Sequence, residues 1–174
     1  ENTLGAYLHQ ATSTLDLDKL LVTSVELIRG KFDFYHASVF LIESDSNMAV
    51  LHASAGQDGN RLPAGRHQLA VGSNSLVGKA TATRQPVVVM DVTNHPTHFK
   101  NPLLPDTQAE AVIPLLIGEL VVGALDVQSA VINAFSDWDV MILDTIAGQL
   151  AIAVQNARLY TSIQQEVIER RRAE

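Results

Sequence analysis

The 174-residue chain contains no cysteine. Disulfides, thiol nucleophiles, thiolate metal sites and thioether-linked cofactors are therefore excluded from it. The lack also fits a cytoplasmic home. Basic blocks are scarce: the formal net charge is −7. The one basic cluster, Arg170 to Arg172, sits beside Glu166, Glu169 and Glu174 and reads as a solvated helix face, so nucleic acid is not an expected partner. No apolar run approaches the roughly 18 to 20 residues needed to cross a bilayer, and no signal peptide is visible. No membrane contact is expected of this segment.

Signatures of catalysis are missing as well. Ser73, Ser75 and Ser129 lie near structural transitions, but none sits in a GxSxG elbow. Gly56, Gly59, Gly65, Gly72 and Gly78 are spaced too irregularly to cradle phosphate and mark turns instead. Six histidines invite a metal or haem, and His95 and His98 have Asp91 and Asp106 nearby. Pro96 interrupts any helix that would align them, and no HExxH spacing occurs. Asp126, inside an apolar strand, has structural readings that outweigh catalysis: facing solvent, ending a pocket, or pinning a loop. No nucleophile, base and orienting group assemble, so no enzyme is expected.

Hydrophobic residues make up 47% and charged residues 18%, which suits one folded domain with a substantial core. TLGAYLHQATSTL has helical spacing. LDKLLVTSVELIRGKF follows as a second helix with Leu20, Leu21, Val25 and Ile28 on its apolar side, capped by Asp16 or Asp18 and ended by Arg29-Gly30-Lys31. YHASVFLIES and MAVLHASAG read as a hairpin turning at Asp45-Ser46-Asn47. Residues 56–74 form a loop with a short edge strand near His67 to Ala70. SLVGKATATRQ is a short helix capped by Ser73 or Asn74, and PVVVMD is a brief strand. The next twenty residues carry Pro96, Pro102 and Pro105, and a connection that long implies a task such as closing over a ligand.

VIPLLIGELVVGALDVQS is a hairpin turning at Gly118-Glu119, and Ser136 then opens a long helix with Asp137 and Asp139 in its first turn. Along that helix Leu143, Ile146, Leu150, Ala153, Ala157 and Tyr160 form a seam of coiled-coil spacing. Past Tyr160 the sequence is charged, with Ile163 and Val167 extending the stripe. Such a tail suits a parallel dimer or a following domain better than a place on its own sheet. Hairpins without a βαβ series argue an α+β fold, and helices at both ends suggest that they lie together. The chain opens with helix already under way and reads as a piece of something longer.

Three stretches taken in order, PVVVMDVTNHPTHF, AEAVIPLLIGELVVGALDVQS and AFSDWDVMILDTIAGQLAIAVQNARLY, closely resemble the GAF domain family. The likeness extends back through LLVTSVELIRGKFDFYHASVFLIE and covers nearly residues 15 to 160. It implies a PAS-like α+β fold, a central antiparallel sheet of five or six strands with terminal helices on one face. Residues 1–15 would then be a linker or dimerisation helix, 16–160 the GAF domain, and 161–174 a connector helix.

The resemblance further implies a small-molecule-sensing module of a larger signalling protein. The output would be a histidine kinase of a two-component system or a related bacterial domain in the same chain. The alternative is a ligand-free scaffold for dimerisation and relay. A ligand would sit beneath residues 91–111, lined by Phe40, His98, Phe99, Leu103 and Val112, with Asp91 ordering the loop through backbone hydrogen bonds. A cysteine-linked bilin is excluded, and haem or another non-covalent small ligand stays open. The cyclic-nucleotide NKFDE-type signature has no match. Ala109 before Glu110 replaces a serine frequent among relatives. Homodimerisation would run through the terminal helices, with Leu150, Ala153, Ala157 and Tyr160 on the seam.

Overall fold

The computed structural model describes residues 14–43, 45–57, 62–65, 67–95, 98 and 101–174. The helix expected over the first residues lies outside these apart from its last two positions. The described elements are α1 (Thr14–Phe32), β1 (His36–Ile42), β2 (Met48–Gly56), β3 (Gln68–Ala70), α2 (Leu76–Thr83), β4 (Val87–Val89), a 3-10 turn (Val92–Asn94), β5 (Ala109–Ile117), β6 (Leu120–Ser129) and α3 (Asp137–Ala173). The six strands form one sheet in the order β3-β2-β1-β6-β5-β4, antiparallel throughout. The fold is α+β.

Each helix starts and stops for a local reason. Asp16 and Asp18 lie inside α1 rather than at its cap. Its C-terminus is set by Asp33, which adopts φ 54° while the Phe34 N–H donates to the Arg29 carbonyl at 3.0 Å, the closure of a Schellman motif. Gly30 is therefore still helical. The N-cap of α2 is Ser75, one or two residues beyond the expected Ser73 or Asn74, because Ser75 Oγ is placed to accept from Gly78 N at 2.9 Å. At α3 the expected Ser136 cap is present as a full capping box with Asp139.

Period-two alternation divides the strand side chains between two faces. One face carries Ala37, Val39, Leu41, Ala111, Ile113, Leu125 and Val127 into the main core. There they meet Leu20, Leu21, Val25 and Ile28 of α1 and the inner side of α3. Both terminal helices pack on this face and touch each other. The main core thus joins the two ends of the domain.

One 18-residue window of α3 is long and apolar enough, by length and composition, to cross a bilayer. Its apolar side is instead spent on the sheet, where Leu143, Ala147, Leu150, Ala153 and Ala157 are buried. The proposed dimer seam is corrected accordingly: Leu150, Ala153 and Ala157 are at most 1% exposed within this one chain, and only Tyr160 of the four is open. From Leu159 onward every residue of α3 is exposed.

Candidate ligand-binding site

The opposite face of the sheet is split in character. At one end Phe40, Leu51, Val89, Val112 and Ala124 pack beneath Leu76, Val77 and Ala80 of α2 in a second, smaller apolar cluster. At the other end the same face turns polar. Glu110 stands across from Gln128, and Asp126 lies between Val112 on β5 and Ser38 on β1. A cavity of about 420 Å3 sits over this boundary, with the N-terminus of α2 on one part of its wall and residues of the 91–108 connection on another.

Three polar strand residues are brought together by a bulge. The hairpin closes at Ile117 and Leu120 through Gly118-Glu119, with Gly118 at φ 57°, a positive value suited to the first position of a tight hairpin turn. The register then shifts between Leu115 and Leu116. An unbroken ladder would set Glu110 opposite Val127, a main-core residue, instead of Gln128. The extra residue reverses that parity, and Glu110 joins Asp126 and Gln128 on the cavity face.

All three are buried, at 8%, 5% and 7% exposure. Thr107 Oγ1 donates to Gln128 Oε1 at 2.6 Å, which turns the Gln128 amide nitrogen toward Asp126 Oδ2 at a long 3.5 Å. His98 Nε2 lies 2.8 Å from Glu110 Oε1, both side chains largely enclosed. Asp126 Oδ1 is buried and receives no N–H or hydroxyl donor; its one other polar neighbour is the Glu110 carboxyl, with which Asp126 can share a proton. A buried acceptor left unsatisfied costs about 1–3 kcal/mol, so this atom is where a donor on a ligand would be most strongly held.

Burial pushes the Glu110 carboxyl up. Burial and the neighbouring Glu110 charge hold Asp126 well above the ordinary carboxylate range. Burial pushes His98 down, with the Asp126 charge opposing it. Two adjacent buried carboxyls do not both ionise unless positive charge comes beside them. His98 Nε2, against Glu110 Oε1, is placed to take up a proton from the pair, and a cationic group on a ligand would act on the same charge.

The rim is built from the turn into α2. Gly72 N donates to Gly78 O at 2.9 Å, and Ser73 Oγ meets Ser75 Oγ at 2.8 Å. Ser73, Asn74 and Ser75 line the cavity with Leu76 and Val77. A Cβ on Gly78 would collide with Ser73 Oγ and stand 2.7 Å from the Ala70 carbonyl oxygen, so only glycine lets the turn close on the helix.

Of the residues expected at the site, His98 lines the cavity. Phe40 and Val112 lie on the correct face but inside the second apolar cluster rather than against the cavity; the Phe40 ring is 5.8 Å from that of His67, which does line it. Asp91 caps the 3-10 turn, accepting from Thr93 N, Thr93 Oγ1 and Asn94 Nδ2 at 3.0, 2.6 and 3.1 Å. Leu103 is 66% exposed, and its neighbour Leu104 lines the cavity in its place. Phe99 lies outside the described residues. Glu110, Gln128 and Thr107 join the site without a place in the sequence expectation, and of the three structural readings of Asp126 the one that ends a pocket matches its position. Their signal was faint: isolated polar residues within the two most apolar strands. Among the described residues no group of three or more histidines and carboxylates could hold a metal ion.

Known proteins fit this architecture. The family model described as GAF domain matches residues 14–155. No curated protein shows a significant match. Among solved structures, the free methionine-R-sulfoxide reductase from Neisseria meningitidis in complex with its substrate superposes with a TM-score of 0.75 at 22% identity, over 90% of this chain and 86% of that one. The GAF domain from an Acinetobacter phosphoenolpyruvate-protein phosphotransferase gives 0.75 at 19%, over 91% and 92%. A type II free methionine-R-sulfoxide reductase from Thermoplasma acidophilum gives 0.68 at 22%, over 79% and 92%. At these identities the structural likeness establishes the fold alone, while the family match spans most of the sequence: this chain belongs to the GAF domain family.

Proposed function

We propose that this domain senses a small molecule bearing a cationic nitrogen and regulates an output domain in the same protein. The single observation carrying this reading is the buried Asp126–Glu110 carboxyl pair in the cavity wall, whose Asp126 Oδ1 receives no N–H or hydroxyl donor. A protonated amine there would satisfy the orphan acceptor and neutralise the carboxyl pair at once. Structural neighbours include both reductases and GAF domains of larger proteins. Thiol-based reduction has no nucleophile in a chain without cysteine, which favours a regulatory role over a catalytic one. A histidine kinase or related output, and a cytoplasmic location, belong to the same proposal.

Titration calorimetry with simple alkylamines tests it. Pentylamine is expected to bind the wild-type domain and to lose about 2 kcal/mol or more with Asp126→Asn, as when one member of a buried charge pair is removed. Equal binding to both proteins, or no amine binding at all, defeats this reading. The second reading, a ligand-free dimerisation and relay element, is favoured by the tail of α3. There Leu159, Tyr160, Ile163, Val167 and Ile168 are exposed beyond the last buried position, Ala157. The two readings are compatible, since a sensor also needs a helix to carry its state away.

A further inference from the structure

The cavity that holds Asp126 has a second polar region of opposite sign. The N-terminus of α2 lines it, and the first-turn N–H groups of any helix have no acceptor within the helix. Ser75 Oγ caps Gly78 N, and the Ser75 carbonyl accepts from Lys79 N, both at 2.9 Å. The Leu76 and Val77 N–H groups have no acceptor within the helix, both residues line the cavity, and no acidic residue occupies that turn. Of the Ser73 and Ser75 hydroxyls, which bond each other at 2.8 Å, one keeps a free proton to donate, and Asn74 lines the same part of the cavity. A helix start with this surround favours an anion. Leu69 and Leu104 contribute apolar wall to the same cavity.

We infer that the cavity takes a dipolar ligand, with its cationic nitrogen at Asp126 and Glu110 and an anionic oxygen group at the N-terminus of α2. The inference rests on the amine-sensing reading above and adds the second end of the molecule. The helix start alone would attract any anion weakly. Its place in one cavity with a buried carboxyl oxygen that receives no N–H or hydroxyl donor selects an anion that carries a positive group with it. A molecule bearing only one of the two charges satisfies one end and leaves the other without a partner. The apolar wall suits a short hydrocarbon part, as in an amino acid with an aliphatic side chain or an amino acid whose charges stand at the ends of a methylene chain.

Two probe sets separate the ends. L-leucine is compared with 3-methylbutylamine and 4-methylpentanoate, which each lack one charge, and 6-aminohexanoate with pentylamine and hexanoate. At least one dipolar probe is expected to bind ten-fold or more tighter than both of its truncated forms. Asn74→Asp puts a negative charge at the anion end and is expected to reduce the ratio of dipolar to amine affinity at least five-fold, with retained amine binding reporting an intact fold. If the amines bind as well as the dipolar probes, or if Asn74→Asp leaves the ratio unchanged, the second end is refuted while the amine-sensing reading stands. If no probe with a cationic nitrogen binds, both fall together.

Discussion

The site's behaviour with pH follows from single buried groups. Burial raises both Glu110 and Asp126, and a bound cation favours their ionised forms. Amine binding is therefore expected to release protons within the raised range and to tighten as pH rises through it, until the amine itself deprotonates. Calorimetry in two buffers of different ionisation heat reads that release directly; proton uptake instead of release would contradict it. His36 acts on stability. It is 1% exposed, neither ring nitrogen has a partner, and burial lowers it to about 4 from 6.5. A depressed histidine contributes fully above its unfolded value and loses that contribution as pH falls from about 6.5 toward 4. The loss is on the order of 3 kcal/mol by pH 4, and His36→Leu is expected to flatten this acid limb in denaturant titrations. The raised carboxyls act in the other direction, weakening the fold as pH rises, so the comparison is made between variant and wild type at each pH.

Among the elements, α2 and its entry turn carry the rim of the cavity through one close approach. Gly78→Ala places a methyl group against the backbone of residues 70–73, so turn and helix must separate. Overpacking of this kind costs about 1–3 kcal/mol, outweighing the roughly 1 kcal/mol that alanine gains over glycine in a helix interior. A lowered Tm is expected, with weaker binding of any ligand that uses the rim; an unchanged or raised Tm would show that the turn is not clamped. The β1–β6 pairing has a similar dependence, because a Cβ on Gly123 would overlap the Phe40 carbonyl oxygen. Both glycines are demanded by contact, since neither adopts the positive φ seen at Gly118. At Gly123 that demand comes from a strand some eighty residues away, and at Gly78 from the closing of a turn, so spacing along the chain marks neither.

For the whole molecule, α3 divides into two parts with different duties. Up to Ala157 its apolar side closes the main core, and Arg158 reaches the Ile42 carbonyl at 2.8 Å to tie it to the end of β1. Among the described residues no strand packs beneath the helix beyond that point, and the hydrogen bonds of Gln164, Gln165, Glu166 and Arg170 there run within the helix. On the dimerisation reading, removing residues 162–174 is expected to abolish a dimer seen by native mass spectrometry while changing the unfolding free energy by less than about 0.5 kcal/mol, as for surface changes away from packing. A truncated chain that remains dimeric would move the interface to the globular part. The exposed positions Leu159, Ile163 and Val167, at 52%, 59% and 44%, are the candidates for that contact, in place of the seam that begins at Leu150.

Strand and helix order, the antiparallel character of the sheet and the Ser136 cap were legible in the sequence because each rests on local rules: alternation, helical spacing and hydrogen bonds between near neighbours. The family was legible for a related reason, since its motifs follow one another in a fixed order along the chain. The composition of the site was not. One bulge near Leu115 reverses which way Glu110 points, and a spacing of seven residues between Leu150 and Ala157 suits a core and a dimer seam equally well. Which face of a strand meets a cavity, and which side of a helix is already covered, depend on packing between residues far apart in the chain. Only the tertiary structure decided those.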